Sequence, residues 1–255
     1  MDYTLAEYSI IIFGSFIAGC INTLAGSGSA ITLAILTEVM GLPGNIANGS
    51  NRVGVVAQGS MTSYVFYKNG KLDFKESKLI ILLISVGALI GVYVATHISN
   101  DQFREVFKYL MISMLLIILI RPKRWLTANN VSIAQPTILT APLFIALGFY
   151  GGFIQMGMGI FCLALFVLVS KYDIITANAL KAFVVFFYSI FVIAIFHYNG
   201  LIDWQAGSIL AIGQMIGGYV TAQFASKYKN ADVWAYRVLV IIVILVILRL
   251  FGVFG

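Results

Sequence analysis

Arg52 and Lys181 each stand about a turn inside a long apolar stretch rather than in a loop, and each follows a run of polar side chains. A charge at mid-helix in a membrane costs roughly 2.5–3.5 kcal/mol on insertion scales and marks a pathway or a site. Asn48, Ser50 and Asn51 precede Arg52, while Thr176 and Asn178 precede Lys181. An anion stripped of water needs fixed donors of this kind as well as positive charge. The competing reading is snorkelling, in which a long basic side chain reaches from a helix end back to the headgroups.

Two glycine breaks extend the set. Gly26-Ser27-Gly28-Ser29 and Gly157-Met158-Gly159 each precede a short apolar stretch, at 31–40 and 160–169. A helix broken at membrane depth leaves backbone groups that only protein or a water-filled cavity can satisfy, so both breaks are expected to face inward. Helix N-termini there would add N–H donors and a positive dipole end. The candidate substrate-binding residues are therefore Asn22, Thr23, Ser27, Gly28, Ser29, Asn48, Ser50, Asn51, Arg52, Gln155, Gly157, Gly159, Asn178 and Lys181. For the Ser and Gly members, close helix packing through small side chains is the alternative.

Other ionisable or reactive residues offer less. His97, His197, Glu38 and Asp173 are candidates for proton coupling, but each falls near an expected interface, where a solvated group suffices. Asp73 and Asp203 follow Asn-Gly turns and are expected to cap the next helix. The glycine pairs Gly87/Gly91 and Gly213/Gly217 read as helix packing. Cys20 and Cys162 lie in apolar runs without metal-ligand spacing, so neither a disulfide framework nor a metal site is expected, and no His/Asp or Cys/His grouping offers a catalytic group.

The elements that must position these residues are set by composition. The 255 residues are 60% hydrophobic and 10% charged, against about 25% charged in a soluble domain. Mean hydropathy is +0.97, and apolar runs alternate with short polar breaks along nearly the whole length. Lipid is the solvent to reason with. The +6 net charge sits in short loops between apolar runs, the pattern of membrane orientation rather than of nucleic-acid binding. The N-terminus has no basic stretch before its first apolar run, unlike a cleavable signal peptide.

Apolar stretches fall at 8–24, 31–40, 46–67, 78–96 and 103–120, then at 138–156, 160–169, 176–196, 205–225 and 233–251. The second series repeats the first. Asn48 recurs as Asn178, Val55 as Val185, Asn69-Gly70 as Asn199-Gly200 and Asp73 as Asp203, all 130 residues on without a gap. Gly87, Gly91 and Tyr93-Val94 recur 126 residues on as Gly213, Gly217 and Tyr219-Val220. Residues 1–121 form a first membrane repeat, 122–136 a cytoplasmic linker and 137–255 a second repeat.

Loop charge gives the orientation. The first Asn-Gly loop carries Lys68, Lys71, Lys75 and Lys78, whereas its counterpart at 198–205 has no basic residue. The bias reverses at the next loop, where 99–102 lacks Lys and Arg but 226–232 holds Lys227 and Lys229. Cytoplasmic loops collect Lys and Arg, so the two copies should face opposite ways, each with an odd number of crossings. The expected fold is an all-α integral membrane protein of two inverted-topology repeats. Each holds a glycine-broken or re-entrant helix pair plus three spanning helices. Both termini then lie outside and the linker inside; Arg104 and Lys108, beginning a helix from the outer side, fit less well.

Several of these segments together resemble the TauE/SafE sulfite exporter family. They are Ala18-Gly19 leading to Gly26-Ser27-Gly28, Ala47-Asn48-Gly49-Ser50-Asn51-Arg52, Ala177-Asn178-Ala179-Leu180-Lys181 and Gly200-Leu201-Ile202-Asp203-Trp204. Ser50 stands where Thr is more usual in the family, and Gly157-Met158-Gly159-Ile160 is less glycine-rich than in many relatives. The resemblance implies a secondary transporter of the cytoplasmic membrane that exports sulfite or organosulfonates without a bound cofactor. Inverted repeats with broken helices place such substrates near the midplane. The partners expected are a small anion and the lipid bilayer, with a homodimer as the one protein assembly considered and no nucleic acid. The alternatives are a non-transporting membrane assembly partner and a membrane-embedded transferase; the latter would want a nucleophile with a base.

Overall fold

The computed structural model describes residues 4–74, 77–99, 134–228, 230, 231, 233, 234 and 237. The expected stretch at 103–120, with Arg104 and Lys108, lies outside the described residues, as do almost all of the linker and of the stretch at 233–251.

Every regular element among the described residues is helical. In chain order these are α1 (Leu5–Leu24), α2 (Ser29–Ala34), α3 (Gly44–Lys68), α4 (Lys78–His97), α5 (Ala141–Phe153), α6 (Met158–Ala164), α7 (Ile174–Tyr198) and α8 (Trp204–Lys227). Short α2 and α6 each continue into a π-helical turn, Ile35–Val39 and Leu165–Val169. Among the described residues, α1, α4 and α7 contain stretches long and apolar enough to cross a membrane. Helices α3 and α8 match them in length, but buried polar side chains on both lower their hydropathy.

Local signals start and stop these helices. A capping box opens α1, where Thr4 Oγ1 accepts from Glu7 N and Glu7 Oε2 accepts from Thr4 N. Asp173 caps α7 by accepting from Ile175 N and Thr176 N, and Asp203 caps α8 by accepting from Ala206 N. The described part of α4 begins at Lys78 with Ser77 at its cap position, and the Ser77 hydroxyl donates to Asp73 O. The Asn-Gly turns close α3 and α7 alike: Lys71 N donates to Phe66 O, and Leu201 N donates to Phe196 O. Their glycines, Gly70 and Gly200, share the left-handed φ of +67° that favours this residue.

The repeat is visible in other hydrogen bonds. Met40 N donates to Ile35 O as Ser170 N does to Leu165 O, and Leu42 N donates to Leu36 O as Tyr172 N does to Phe166 O. Between these pairs, Gly41 and Lys171 both take positive φ, +67° and +65°. Packing then crosses between the copies. Gly87 and Gly91 of α4 lie against Ile145 and Phe149 of α5, while Gly213 and Gly217 of α8 lie against Ile12 and Phe16 of α1. In each pair the contacts advance together along both helices, so the partners run parallel, backbone against backbone as small residues permit.

Helices α3 and α7 cross at the centre in opposite directions. Gly49, near the start of α3, abuts Phe196 and Leu201 at the end of α7, whereas Gly59 abuts Ala182 and Phe186 further back along it. The larger apolar cluster fills the bundle of α4, α5, α6 and α7. A much smaller one, around Ile11, Leu36, Ala206 and Leu210, joins α1, α2, α3 and α8.

Candidate functional site

The two intramembrane cations turn inward rather than towards the headgroups. Helix α3 starts at Gly44 and α7 at Ile174, which sets Arg52 and Lys181 about two turns deep. Arg52 is 0% and Lys181 4% exposed, so neither snorkels. The last carbonyls of a helix have no partner of their own and carry the negative end of its dipole. Lys181 Nζ donates to two of these on α1, Asn22 O at 2.8 Å and Thr23 O at 3.0 Å, and to Asn178 Oδ1 at 2.6 Å. All three ammonium hydrogens are thereby used.

Arg52 does the same for α5. Nη1 donates to Gly151 O at 2.6 Å, and Nη2 donates to Gly152 O at 3.1 Å and Asn48 Oδ1 at 3.3 Å. The guanidinium centre lies 5.8 Å from the Phe196 ring centroid, close enough for a cation–π contribution. Arg52 and Lys181 are one position apart in the repeat, yet each ties down the helix end that precedes the glycine break of the other copy.

The breaks themselves meet. Gly159 N donates to Gly26 O at 3.1 Å, and a Cβ on either glycine would collide with the other's backbone. Gly26 has φ +81° and Gly157 φ +74°. At the end of α5 Gln155 adopts φ +62°, an uncommon conformation for a residue with a side chain that costs of order 1–3 kcal/mol.

Beside this contact lies a cavity of about 30 Å³, lined by residues of α1, α2, α3 and α7 and of the second break. Room for one water takes roughly 10–15 Å³ on this measure, so the space suits one or two. The repeat counterparts Val55 and Val185 both line it, as do Ser29 and Gly159, which puts it between the two copies. Lys181 is the one charged lining residue among the described residues, and no carboxylate accompanies it.

Of the residues singled out from the sequence, the cavity brings together Asn22, Thr23, Ser29, Gln155, Gly159 and Lys181. The others stand around it. Asn48 Nδ2 donates to Phe153 O, and Asn178 Nδ2 donates to Ile174 O. Ser50 Oγ accepts from Asp203 N at 2.8 Å and so holds the loop before α8. Asn51 Oδ1 accepts from Thr32 Oγ1 at 2.7 Å and from Gln214 Nε2 at 3.5 Å. Gly28 packs against Ala18 and Asn22, and Gly157 forms the left-handed turn into α6. Ser27 is buried with an unpartnered hydroxyl.

Gln58, Thr62 and Met158 also line the cavity; Met158 lies inside the second glycine break, whereas Gln58 and Thr62 belong to no motif. Gln58 Nε2 donates to Gly19 O and Thr23 Oγ1, and its Oε1 accepts from Asn22 Nδ2. A signal existed for two of them: Asn48, Asn51, Val55, Gln58 and Thr62 follow one another at three- and four-residue steps along one face of α3.

The interfacial candidates are held locally. Asp173 is a helix cap, Glu38 Oε1 accepts from Thr37 Oγ1, and His97 Nδ1 lies 2.7 Å from Tyr93 O. Trp204 Nε1 donates to His197 Nδ1 at 3.2 Å.

The family model described as "Sulfite exporter TauE/SafE" matches residues 11–250. Three curated relatives match along most of their length. The chain is 28% identical to the probable membrane transporter protein ORF9 of a Sinorhizobium species, over 98% of the chain and 94% of the relative. It is 24% identical to a probable membrane transporter protein of Haemophilus influenzae, over 88% and 87%. It is also 24% identical to the probable membrane transporter protein YfcA of Escherichia coli K12, over 82% and 77%. No solved structure gives a significant match.

Proposed function

The chain belongs to the TauE/SafE sulfite exporter family of membrane transporters, and from that premise we propose that it exports a small sulfur-containing anion, sulfite or an organosulfonate, across the cytoplasmic membrane by alternating access. The observation that carries this reading is Lys181 in a cavity between the two copies, with three acceptors and no carboxylate among the described lining residues. A buried ammonium without a counter-ion attracts an anion strongly, because the surrounding dielectric is low. The anion's oxygens take over donors now directed at Asn22 O and Thr23 O, and the Ser29 and Thr62 hydroxyls are at hand to add to them. Arg52 lies outside the cavity lining; its part is to hold the end of α5.

The reading includes two inverted-topology repeats. The antiparallel course of α3 and α7 supports it, as does the swap of lysines between Lys68/Lys71 and the uncharged loop at 198–205. On this topology the ends of α3 and α8, with Lys68 and Lys227, face the cytoplasm, and both termini lie outside.

The test is flux of radiolabelled sulfite and of taurine in proteoliposomes. Wild type should carry at least one of the two. Lys181→Gln should lower that flux about tenfold or more, the loss of one charge-assisted contact. Undiminished flux in Lys181→Gln would remove the ammonium from the mechanism and the reading with it.

A further inference from the structure

Although the two copies share a backbone plan, their polar side chains are unequally divided. Around the α1–α3–α8 interface, Asn51 Nδ2 and Thr62 Oγ1 are buried without a hydrogen-bond partner. A buried unpaired polar atom costs about 1–3 kcal/mol, and a water or a passing ligand relieves it. These groups adjoin one another through α8. Gln214 Nε2 donates to Asn51 Oδ1, and Gly218 packs against both Gln58 and Thr62. Thr62 and Gln58 in turn line the cavity, so a polar track leads from Asn51 and Gln214 into it.

The pseudo-symmetric interface of α4, α5 and α7 is less polar, although Asn51 is matched 130 residues on by Lys181, which lines the cavity, and the Tyr188 hydroxyl donates to Met158 Sδ. Thr62 is replaced by Val192, Gln58 by Tyr188, Gln214 by Ala88 and Thr221 by Ala95. Val192, Ala88 and Tyr188 belong to the large apolar cluster and are each fully buried. Ser189 adds a buried hydroxyl on α7 beside Tyr188.

We propose that the hydrated route between solvent and the central cavity runs through the interface of α1, α3 and α8, along Asn51, Gln214, Gln58 and Thr62, while the matching interface of α4, α5 and α7 stays dry. The substrate class of this route is a small hydrated anion, since every side chain named on it is neutral and all can donate. The inference deepens the reading of the cavity as the substrate site and rests on it. It also makes the two pseudo-symmetric interfaces unequal, each built from helices of both copies: one is conduit, the other scaffold.

Water access can be read without substrate. Single cysteines are placed at Thr62, Gln214 and Thr221, and at their counterparts Val192, Ala88 and Ala95, in protein reconstituted in nanodiscs with both faces open. Labelling by the anionic, membrane-impermeant reagent sulfonatoethyl methanethiosulfonate is followed by mass, with the wild-type protein and its two native cysteines as the blank. A thiol away from water ionises poorly and reacts slowly. Thr62→Cys and Gln214→Cys should label roughly tenfold faster than Val192→Cys and Ala88→Cys. Thr221→Cys against Ala95→Cys repeats the comparison should either core variant misfold, as judged by size-exclusion profile. Equal rates, no labelling on either side, or faster labelling of the α4–α5–α7 set would each overturn the route. Unequal labelling in a protein that moves neither sulfite nor taurine would sink the substrate reading and leave the hydrated route standing.

Discussion

Lys181 and Arg52 direct their donors at the same kind of acceptor, the last carbonyls of a helix from the other copy. Their consequences on substitution should nevertheless differ. Arg52→Met leaves Gly151 O, Gly152 O and Asn48 Oδ1 short of donors in a sealed setting, at about 1–3 kcal/mol for each group left unpaired. We expect a lowered melting temperature in detergent, with partial recovery in Arg52→Lys, which can reach fewer of the three acceptors. Lys181→Gln borders a cavity that a water can enter, so its melting temperature should fall less than that of Arg52→Met while its flux falls more. Equal loss of both properties in the two variants would argue against a division between helix-end clasp and substrate contact. The importance of both residues was legible in the sequence, because a charge inside an apolar run stands out. Their acceptors were not legible, since Gly151 lies 99 residues from Arg52 and Asn22 lies 159 from Lys181, separations that no local pattern encodes.

Among the elements, the broken helices depend on glycine for different reasons at different places. Gly26→Ala introduces both a positive-φ cost of roughly 1–2 kcal/mol and a collision with the Gly159 backbone. Gly41 shares the positive φ but has open space around its Cα. Gly41→Ala should therefore lower the melting temperature modestly, whereas Gly26→Ala should prevent recovery of monodisperse protein. Similar behaviour in the two variants would mean that the close approach is not what fixes Gly26. The sequence made the breaks visible as glycine clusters ahead of short apolar runs, and it made the Gly87/Gly91 and Gly213/Gly217 packing visible through their spacing. It concealed that α4 is described only from Lys78, with Ser77 at its cap position, a turn later than its Asn-Gly turn suggests. Gln58, whose single amide joins α1 to α3, belongs to no motif and shows in the sequence only through its spacing from Asn51 and Val55 on one face of α3.

On the scale of the whole molecule, parallel pairing of α1 with α8 and of α4 with α5 means that each copy lends its first helix to the last described spanning helix of the other. The two copies therefore interlock rather than sit side by side, and severing the chain in the loop at 134–137 should leave fragments that need each other to be recovered from the membrane. Orientation can be checked directly. A reporter that is active only in the cytoplasm should work when fused after Lys71 and fail when fused after Tyr198; activity at both sites would contradict the opposed orientation of the copies. The repeat behind this plan was readable as matched residues 130 apart, but the exchange of helices was not, because a repeat in sequence is silent about which copy each helix packs against.

The hydrogen bond from Gly159 N to Gly26 O joins two main chains with no side chain between them. Rotamer changes cannot lengthen or shorten such a contact. Any tilting of one copy against the other must then swing about it as about a fulcrum, with displacement growing towards the membrane surfaces. Pairs of spin labels set close to Gly26 and Gly159 should hold one separation under all conditions, while pairs at the ends of α3 and α7 should broaden when anion is added.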